Sequence, residues 1–145
     1  MVPERIRNVV LVGHGSSGKT SLAEALLNTA GATTRVGRVE DGTTVTDFEP
    51  EETERQISLN VAVASCEWKG HKINILDTPG YADFTGDALA ALRVADMAIF
   101  VVSGVDGVEV QTEALWRAAA AENIPRVVFI NKLDRERSSF RRTLT

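Results

Sequence analysis

Asn8-Val9-Val10-Leu11-Val12-Gly13-His14-Gly15-Ser16-Ser17-Gly18-Lys19-Thr20-Ser21-Leu22-Ala23-Glu24-Ala25-Leu26-Leu27 is the stretch on which the fold turns. Val9 to Val12 is an apolar run that reads as a buried strand, and Thr20 to Leu27 reads as a helix. Between them, Gly13 to Thr20 fits G-x-x-x-x-G-K-[ST], the phosphate-binding loop. Glycines let the backbone curl so that successive N–H groups point inward at an anion. The helix that follows aims the positive end of its dipole at the same place. Gly13, His14, Gly15, Ser16, Ser17, Gly18, Lys19 and Thr20 are therefore the expected phosphate-binding set. Lys19 can reach β- and γ-phosphates, and the Thr20 hydroxyl can ligate Mg²⁺. For the ring of His14, packing or a structural hydrogen bond is preferred to phosphate contact. A Gly/Ser-rich turn without a ligand is the plainer alternative; the strand before and the helix after argue against it.

Outward from this unit, strands and helices alternate, which predicts an α/β fold with a mostly parallel sheet. The loop makes it a three-layer P-loop NTPase fold, with residues 1–145 expected to be one domain that is incomplete at the C-terminus, truncated after the fifth parallel-type element. The first strand is expected over Asn8 to Gly13 and the first helix over Lys19 to about Thr29, stopped at Gly31. Ala32 to about Ser58 is polar and lacks a strand or helix period. Loops of that length are usually functional or mobile. Leu59 to Cys66 and Ile73 to Asp77 form a predicted hairpin about a turn at Lys69-Gly70-His71-Lys72. His71 is expected to be a solvated turn residue. A second helix is predicted over Asp87 to Val94, with Leu89 and Leu92 on one face. Met97 to Ser103 is a buried strand, Thr112 is a candidate cap of a helix running to Glu122, and Arg126 to Asn131 is the last strand.

The composition suits a globular domain: 145 residues, 43% hydrophobic, with a net charge of −4. That charge argues against a general nucleic-acid binder, and no direct DNA binding is expected. Cys66 is the single cysteine, read as a small buried apolar residue, and a disulfide within the chain is impossible. This fits a reducing, cytoplasmic setting. Met1 to Asn8 lacks the apolar region of a signal peptide, and no run is apolar enough to span a membrane. Two histidines and one cysteine offer no zinc-site spacing.

Two further motifs close later strands. Asp77-Thr78-Pro79-Gly80 follows Ile73 to Leu76. Ligands of doubly wound sheets bind outside the carboxyl ends of strands, so Asp77 should land beside the phosphate loop, where a carboxylate can hold Mg²⁺. The Gly80 N–H can approach a γ-phosphate because no Cβ intervenes. Asn131-Lys132-Leu133-Asp134 closes Val127 to Ile130 and has the guanine-reading form N-K-x-D. Guanine offers two donors, N1–H and the exocyclic amine, and Asp134 can accept both. Adenine has no N1 donor, and leaving such a polar site unpaired gives discrimination of ~10⁴ or more. The Lys132 stem can cover the base, and Asn131 can tie this loop to the phosphate loop. Each short motif alone could be a strand-end turn; three in this order make that reading untenable.

With these motifs the chain resembles the translational GTPases, elongation factor G and its paralogues above all. The resemblance runs through Gly13–Thr20, Gly42-Thr43-Thr44-Val45-Thr46-Asp47, Arg55-Gln56-Ile57-Ser58, Asp77-Thr78-Pro79-Gly80-Tyr81-Ala82-Asp83-Phe84, Gly104–Val108, Ile124–Arg126 and Asn131–Arg135. It implies GTP and GDP as ligands, Mg²⁺ held by Thr20, Ser58 and Asp77, and hydrolysis of GTP coupled to a ribosomal step. Lys19, Gly80 and Tyr81 are the implied catalytic residues, with Tyr81 beside Thr78 and Pro79 in the nucleotide site. The acidic stretch Glu40 to Arg55 would then be the first switch segment, as well as a solvated loop. The basic stretch Arg135 to Arg142 reads as a solvated helix start rather than an RNA contact.

Departures from the family pattern are informative. The family places His after D-T-P-G to position the attacking water, and here Tyr81 stands there. A phenol, with an unperturbed pKa of about 10, is neutral at pH 7. Gly15 and Ser16 replace an apolar residue and an aspartate, which should open one wall of the apolar gate opposite Ile57. Ser58 replaces the Mg²⁺-binding threonine. Weak or absent hydrolysis in a guanine-nucleotide-binding regulatory module is therefore the alternative function. The resemblance also implies a further strand, helices and an S-A-[KL] loop after Asp134. Without them the strand Val127 to Ile130 should be an exposed edge.

Overall fold

The computed structural model describes residues 2–46, 51, 54, 60–81 and 85–145. After a short 3-10 turn at Pro3–Arg5 the elements are β1 (Ile6–Val12), α1 (Lys19–Thr29), β2 (Ala62–Trp68), β3 (His71–Asp77), α2 (Thr85–Arg93), β4 (Met97–Ser103), α3 (Val110–Ala121), β5 (Arg126–Asn131) and α4 (Phe140–Leu144). The five strands form one sheet in the order β2-β3-β1-β4-β5. β3, β1, β4 and β5 are parallel, and β2 is antiparallel to β3.

Sequence periodicity accounts for the three layers. In β1, Val10 and Val12 face one side of the sheet and Leu11 faces the other, and all three are fully buried. Central parallel strands are covered on both faces, so such apolar runs are what they require. Val10, Val12, Leu76, Ala98 and Phe100 pack against Ala88, Ala91 and Leu92 of α2 and Leu115 and Ala119 of α3. On the other face Leu11, Ile75, Ala64 and Cys66 pack against Ala23 and Leu27 of α1. Burial pushes the Cys66 thiol up from its ordinary pKa. Gly31 (φ 74°) ends α1, with the Ala32 N–H returning to the Leu27 carbonyl.

Several boundaries differ from expectation. β1 begins two residues earlier, at Ile6, because it pairs with β3 from there. The hairpin turn needs only Lys69 (φ 47°) and Gly70 (φ 76°). Two successive positive φ values match the twist of the flanking strands, so His71 is not a turn residue but the first of β3, opposite Trp68. β2 begins at Ala62; the predicted start at Leu59 lies outside the described residues. The core side of α2 is Ala88, Ala91 and Leu92, with Leu89 outward. Thr112 does not cap α3: the helix starts at Val110, its first turn closes from Glu113 N–H to the Glu109 carbonyl, and Thr112 is buried within it. Helix α4 starts at Phe140, so Arg135 and Arg137 precede it; Ser139 caps it by accepting from the Arg142 N–H.

β5 forms one edge of the sheet, and Val127, Val128 and Phe129 are exposed. It is tied back through Arg126, whose guanidinium lies 4.4 Å over the Trp116 ring. That ring meets Phe100 edge-on at 4.9 Å. Such ring contacts contribute about 0.5–1.5 kcal/mol beyond burial.

Candidate functional site

The carboxyl ends of β1, β3 and β5 open onto one side of the sheet, and the chain leaves each of them in a polar turn. After β1 the backbone takes positive φ at Gly13 (148°), Ser16 (63°) and Gly18 (100°). Gly13 fits under the Val101 carbonyl and Gly18 against the Asn131 amide, where a Cβ would collide in both cases. Ser16 holds a left-handed conformation without being glycine, at a cost of roughly 1–2 kcal/mol. The side chain of Lys19 is folded into the loop it follows. It is buried, and its Nζ donates to the carbonyls of Gly13 (3.1 Å) and His14 (2.9 Å). The Lys19 Nζ is thus held under the turn by two loop carbonyls.

From β3, the parallel register sets Asp77 beside Leu11 at the mouth of this loop. Asp77 and Thr78 are fully buried. Asp77 Oδ2 accepts from Thr20 Oγ1 (2.6 Å) and Thr46 Oγ1 (3.2 Å), and Thr78 Oγ1 donates to the Leu11 carbonyl (2.7 Å). Pro79 and Gly80 are buried too. Gly80 lies against Lys19 Nζ and the Gly15 backbone, with no room for a side chain. Tyr81 lies at the rim, 37% exposed.

From β5, Asn131 reaches across: its Nδ2 donates to the Ser17 carbonyl at 2.9 Å. Lys132 turns the chain at φ 59°. The Leu133 side chain lies over Gly104, and the Asn131 carbonyl accepts from the Gly104 N–H (2.8 Å). The Asp134 carboxylate is exposed, 3.8 Å from Arg135 Nε.

These turns enclose a cleft of about 420 Å³. Gly15, Ser16, Gly18, Lys19 and Thr20 form its floor, Gly80 and Tyr81 one wall, and Asn131, Lys132 and Asp134 the far end. Other sequence-predicted residues stand behind that lining: Gly13, His14 and Ser17 in the loop, and Asp77, Thr78 and Pro79 under the wall. Leu133 is turned away toward Gly104. Ser58 and Ile57 lie outside the described residues, as do Asp47, Arg55, Gln56, Ala82, Asp83 and Phe84.

Sequence reasoning assigned no specific contact to four other contributors. Glu24, 1% exposed in α1, accepts from the backbone N–H groups of Gly37 (3.0 Å) and Val45. It thereby fastens the segment after α1 to the helix that carries Lys19. Its only sequence signal is a carboxylate on the apolar face of α1, between Ala23 and Leu27. Thr46, on Asp77, stood inside a quoted motif without a function. Val39 and Glu40 line the cleft; Glu40 opens the acidic stretch read as the first switch segment, whereas no local pattern marks Val39.

Comparison with known proteins matches this arrangement. The profile of the elongation factor Tu GTP binding domain fits residues 4–145. Elongation factor G of Granulibacter bethesdensis is 47% identical over 139 residues, which is 96% of this chain and 20% of that protein. An elongation factor G-like protein of Mycobacterium tuberculosis is 48% identical over 143 residues, 99% of this chain and 20% of that one. The mitochondrial ribosome-releasing factor 2 of Scheffersomyces stipitis is 45% identical over 141 residues, covering 97% of this chain and 17% of that protein. A protein of Thermus thermophilus of known crystal structure superposes with a TM-score of 0.91 at 45% identity, over 97% of this chain and 21% of its own. The chain thus spans about a fifth of the length of the relatives it matches. With its profile matched almost end to end and its fold superposed on a solved relative, the chain belongs to the elongation factor Tu GTP-binding domain family, among proteins like elongation factor G.

Proposed function

We propose that residues 1–145 belong to a guanine-nucleotide-binding domain that hydrolyses GTP with Mg²⁺ in a ribosomal step of protein synthesis. The observation that carries this reading is the junction of the first and third motifs: Asn131 locks onto Ser17, so the base-end loop and the phosphate loop share one cleft. Asp134 at the far end would accept from guanine N1–H and the exocyclic amine. Lys19 would meet the β- and γ-phosphates, and the Gly80 N–H the γ-phosphate. Water would attack the γ-phosphorus in line with the leaving oxygen. Thr20 Oγ1 and the Asp77 carboxylate, 2.6 Å apart, are hard oxygen donors of the kind Mg²⁺ takes together with phosphate oxygens and water. The ion would neutralise charge on the phosphates; Lys19 and the loop N–H groups would share that task. Ser58 is proposed as a further ligand by resemblance alone. The lone buried Cys66 suits a reducing cytoplasm. The ribosome as partner rests on the names of the relatives.

Tyr81 supports a second reading, a nucleotide-binding regulatory module with slow hydrolysis. A neutral phenol can orient water but cannot act as a cationic imidazole. Single-turnover hydrolysis with and without ribosomes separates the two, and Tyr81→His should accelerate the reaction if placement of the water is limiting.

The primary test is base selectivity. GDP should outcompete ADP, and Asp134→Asn should weaken GDP binding ~10²–10⁴-fold, the loss of two charge-assisted hydrogen bonds. It should improve binding of xanthosine diphosphate, whose base carries a carbonyl in place of the amine. Equal affinity for ADP and GDP would end this assignment.

A further inference from the structure

Gly15 has no backbone reason to be glycine. The left-handed turns of the loop fall at Gly13, Ser16 and Gly18, not at Gly15. What excludes a side chain there is the ring of Tyr81. A Cβ on Gly15 would lie 2.8 Å from Tyr81 Cζ, 3.0 Å from Cε1 and 3.1 Å from Cε2. These are the hydroxyl-bearing end of the ring, so the phenol lies with its polar tip on the phosphate loop. Sequence comparison alone suggested that Gly15 leaves the wall of the cleft open; in the structure Tyr81 occupies that space.

The ring is anchored at its root. The Tyr81 carbonyl accepts from Gln111 Nε2 (3.1 Å) in α3, which also reaches Thr85 Oγ1 (3.4 Å) in α2. With the backbone held there, displacement of the ring from Gly15 requires rotation about its own side-chain bonds. Around its tip the cleft is lined by Lys19 and Gly80, the groups expected at the γ-phosphate end.

We infer that Gly15 and Tyr81 form one size-matched unit: the missing side chain at 15 seats the phenol on the loop, and the seated hydroxyl donates to the γ-phosphate. Tyr81 is then a γ-phosphate contact that separates GTP from GDP, and Gly15 is its positioning residue. This rests on the guanine-nucleotide reading and deepens it. It also joins two departures from the family pattern, 66 positions apart in the chain (81 minus 15), into a single change.

The test is a double-mutant cycle on the 145-residue chain, measuring affinities for GDP and for a non-hydrolysable GTP analogue. Gly15→Ala should lower analogue affinity about tenfold more than GDP affinity, the worth of one hydrogen bond to a charged acceptor. Tyr81→Phe, which keeps the ring and loses the hydroxyl, should do the same. In a Tyr81→Ala background, Gly15→Ala should have no further effect. Tyr81 is the only tyrosine, so labelled tyrosine gives one set of NMR signals, which Gly15→Ala should shift even without nucleotide. Additive losses, equal losses for GDP and analogue, or unmoved tyrosine signals would overturn the pairing while GDP binding remained. A chain that bound neither nucleotide would overturn the guanine reading and this inference with it.

Discussion

The two ends of the cleft are built differently. The phosphate end hangs on β1 and β3, the middle of the sheet. Its polar groups are held from several directions: Lys19 by two loop carbonyls, Asp77 by Thr20 and Thr46, Thr78 by the strand beside it. The base end hangs on β5, the edge, where Val127 to Phe129 face solvent and the Asp134 carboxylate is open. The lesson is one of cost. Phosphate binding needs a preorganised cage of N–H groups around a buried charge, and only a doubly covered strand can hold one still. Reading a base needs a carboxylate that reaches two donors, which an exposed turn can supply if a single tie fixes its position. Asn131 is that tie.

Substitutions along this gradient test the comparison. Phe100, fully buried beside β1, should lose about 3–5 kcal/mol of stability as Phe100→Ala, measured by denaturant unfolding. Lys19→Ala should weaken nucleotide binding by about 1.5–3 kcal/mol, the range for a charge-assisted contact. Two loop carbonyls lose their donor as well, so a smaller fall in the thermal midpoint without nucleotide should accompany it. A midpoint loss as large as the affinity loss would make Lys19 structural and blur the distinction between cage and ligand. Asn131→Ala should cost about 1 kcal/mol of stability, and guanine selectivity should fall with it, because the base-end turn loses its reference to the loop. Phe129, 41% exposed on the edge, should give the smallest effect, about 1 kcal/mol or less as Phe129→Ala. If Phe129→Ala rivalled Phe100→Ala, the two ends would be equally packed and the comparison would fail.

Much of this was legible in the chain because its signals are local. Lys19–Thr29, Met97–Ser103 and Arg126–Asn131 have the boundaries that their apolar runs and flanking breakers predict. Strand-end placement of the three motifs follows from alternation of strands and helices. Illegible features depend on partners far along the chain. Thr112 looks like a cap until packing against the sheet buries it. His71 looks like turn until two positive φ values at Lys69 and Gly70 make a two-residue turn sufficient. Glu24 resembles any helix carboxylate, yet its partners are the N–H groups of Gly37 and Val45. Gly15 looks like one more flexible loop glycine, and only the position of the Tyr81 ring gives it a steric reason.

The exposed edge of β5 also bears on how concentration would act on residues 1–145 taken by themselves. Intramolecular unfolding is first order and indifferent to how much protein is present. Pairing of one β5 with an extended segment of a second molecule is bimolecular and grows with the square of concentration, while dilution returns the edge to water. A measured stability of residues 1–145 should therefore be checked at two concentrations, since a free energy of intramolecular unfolding alone would not change between them.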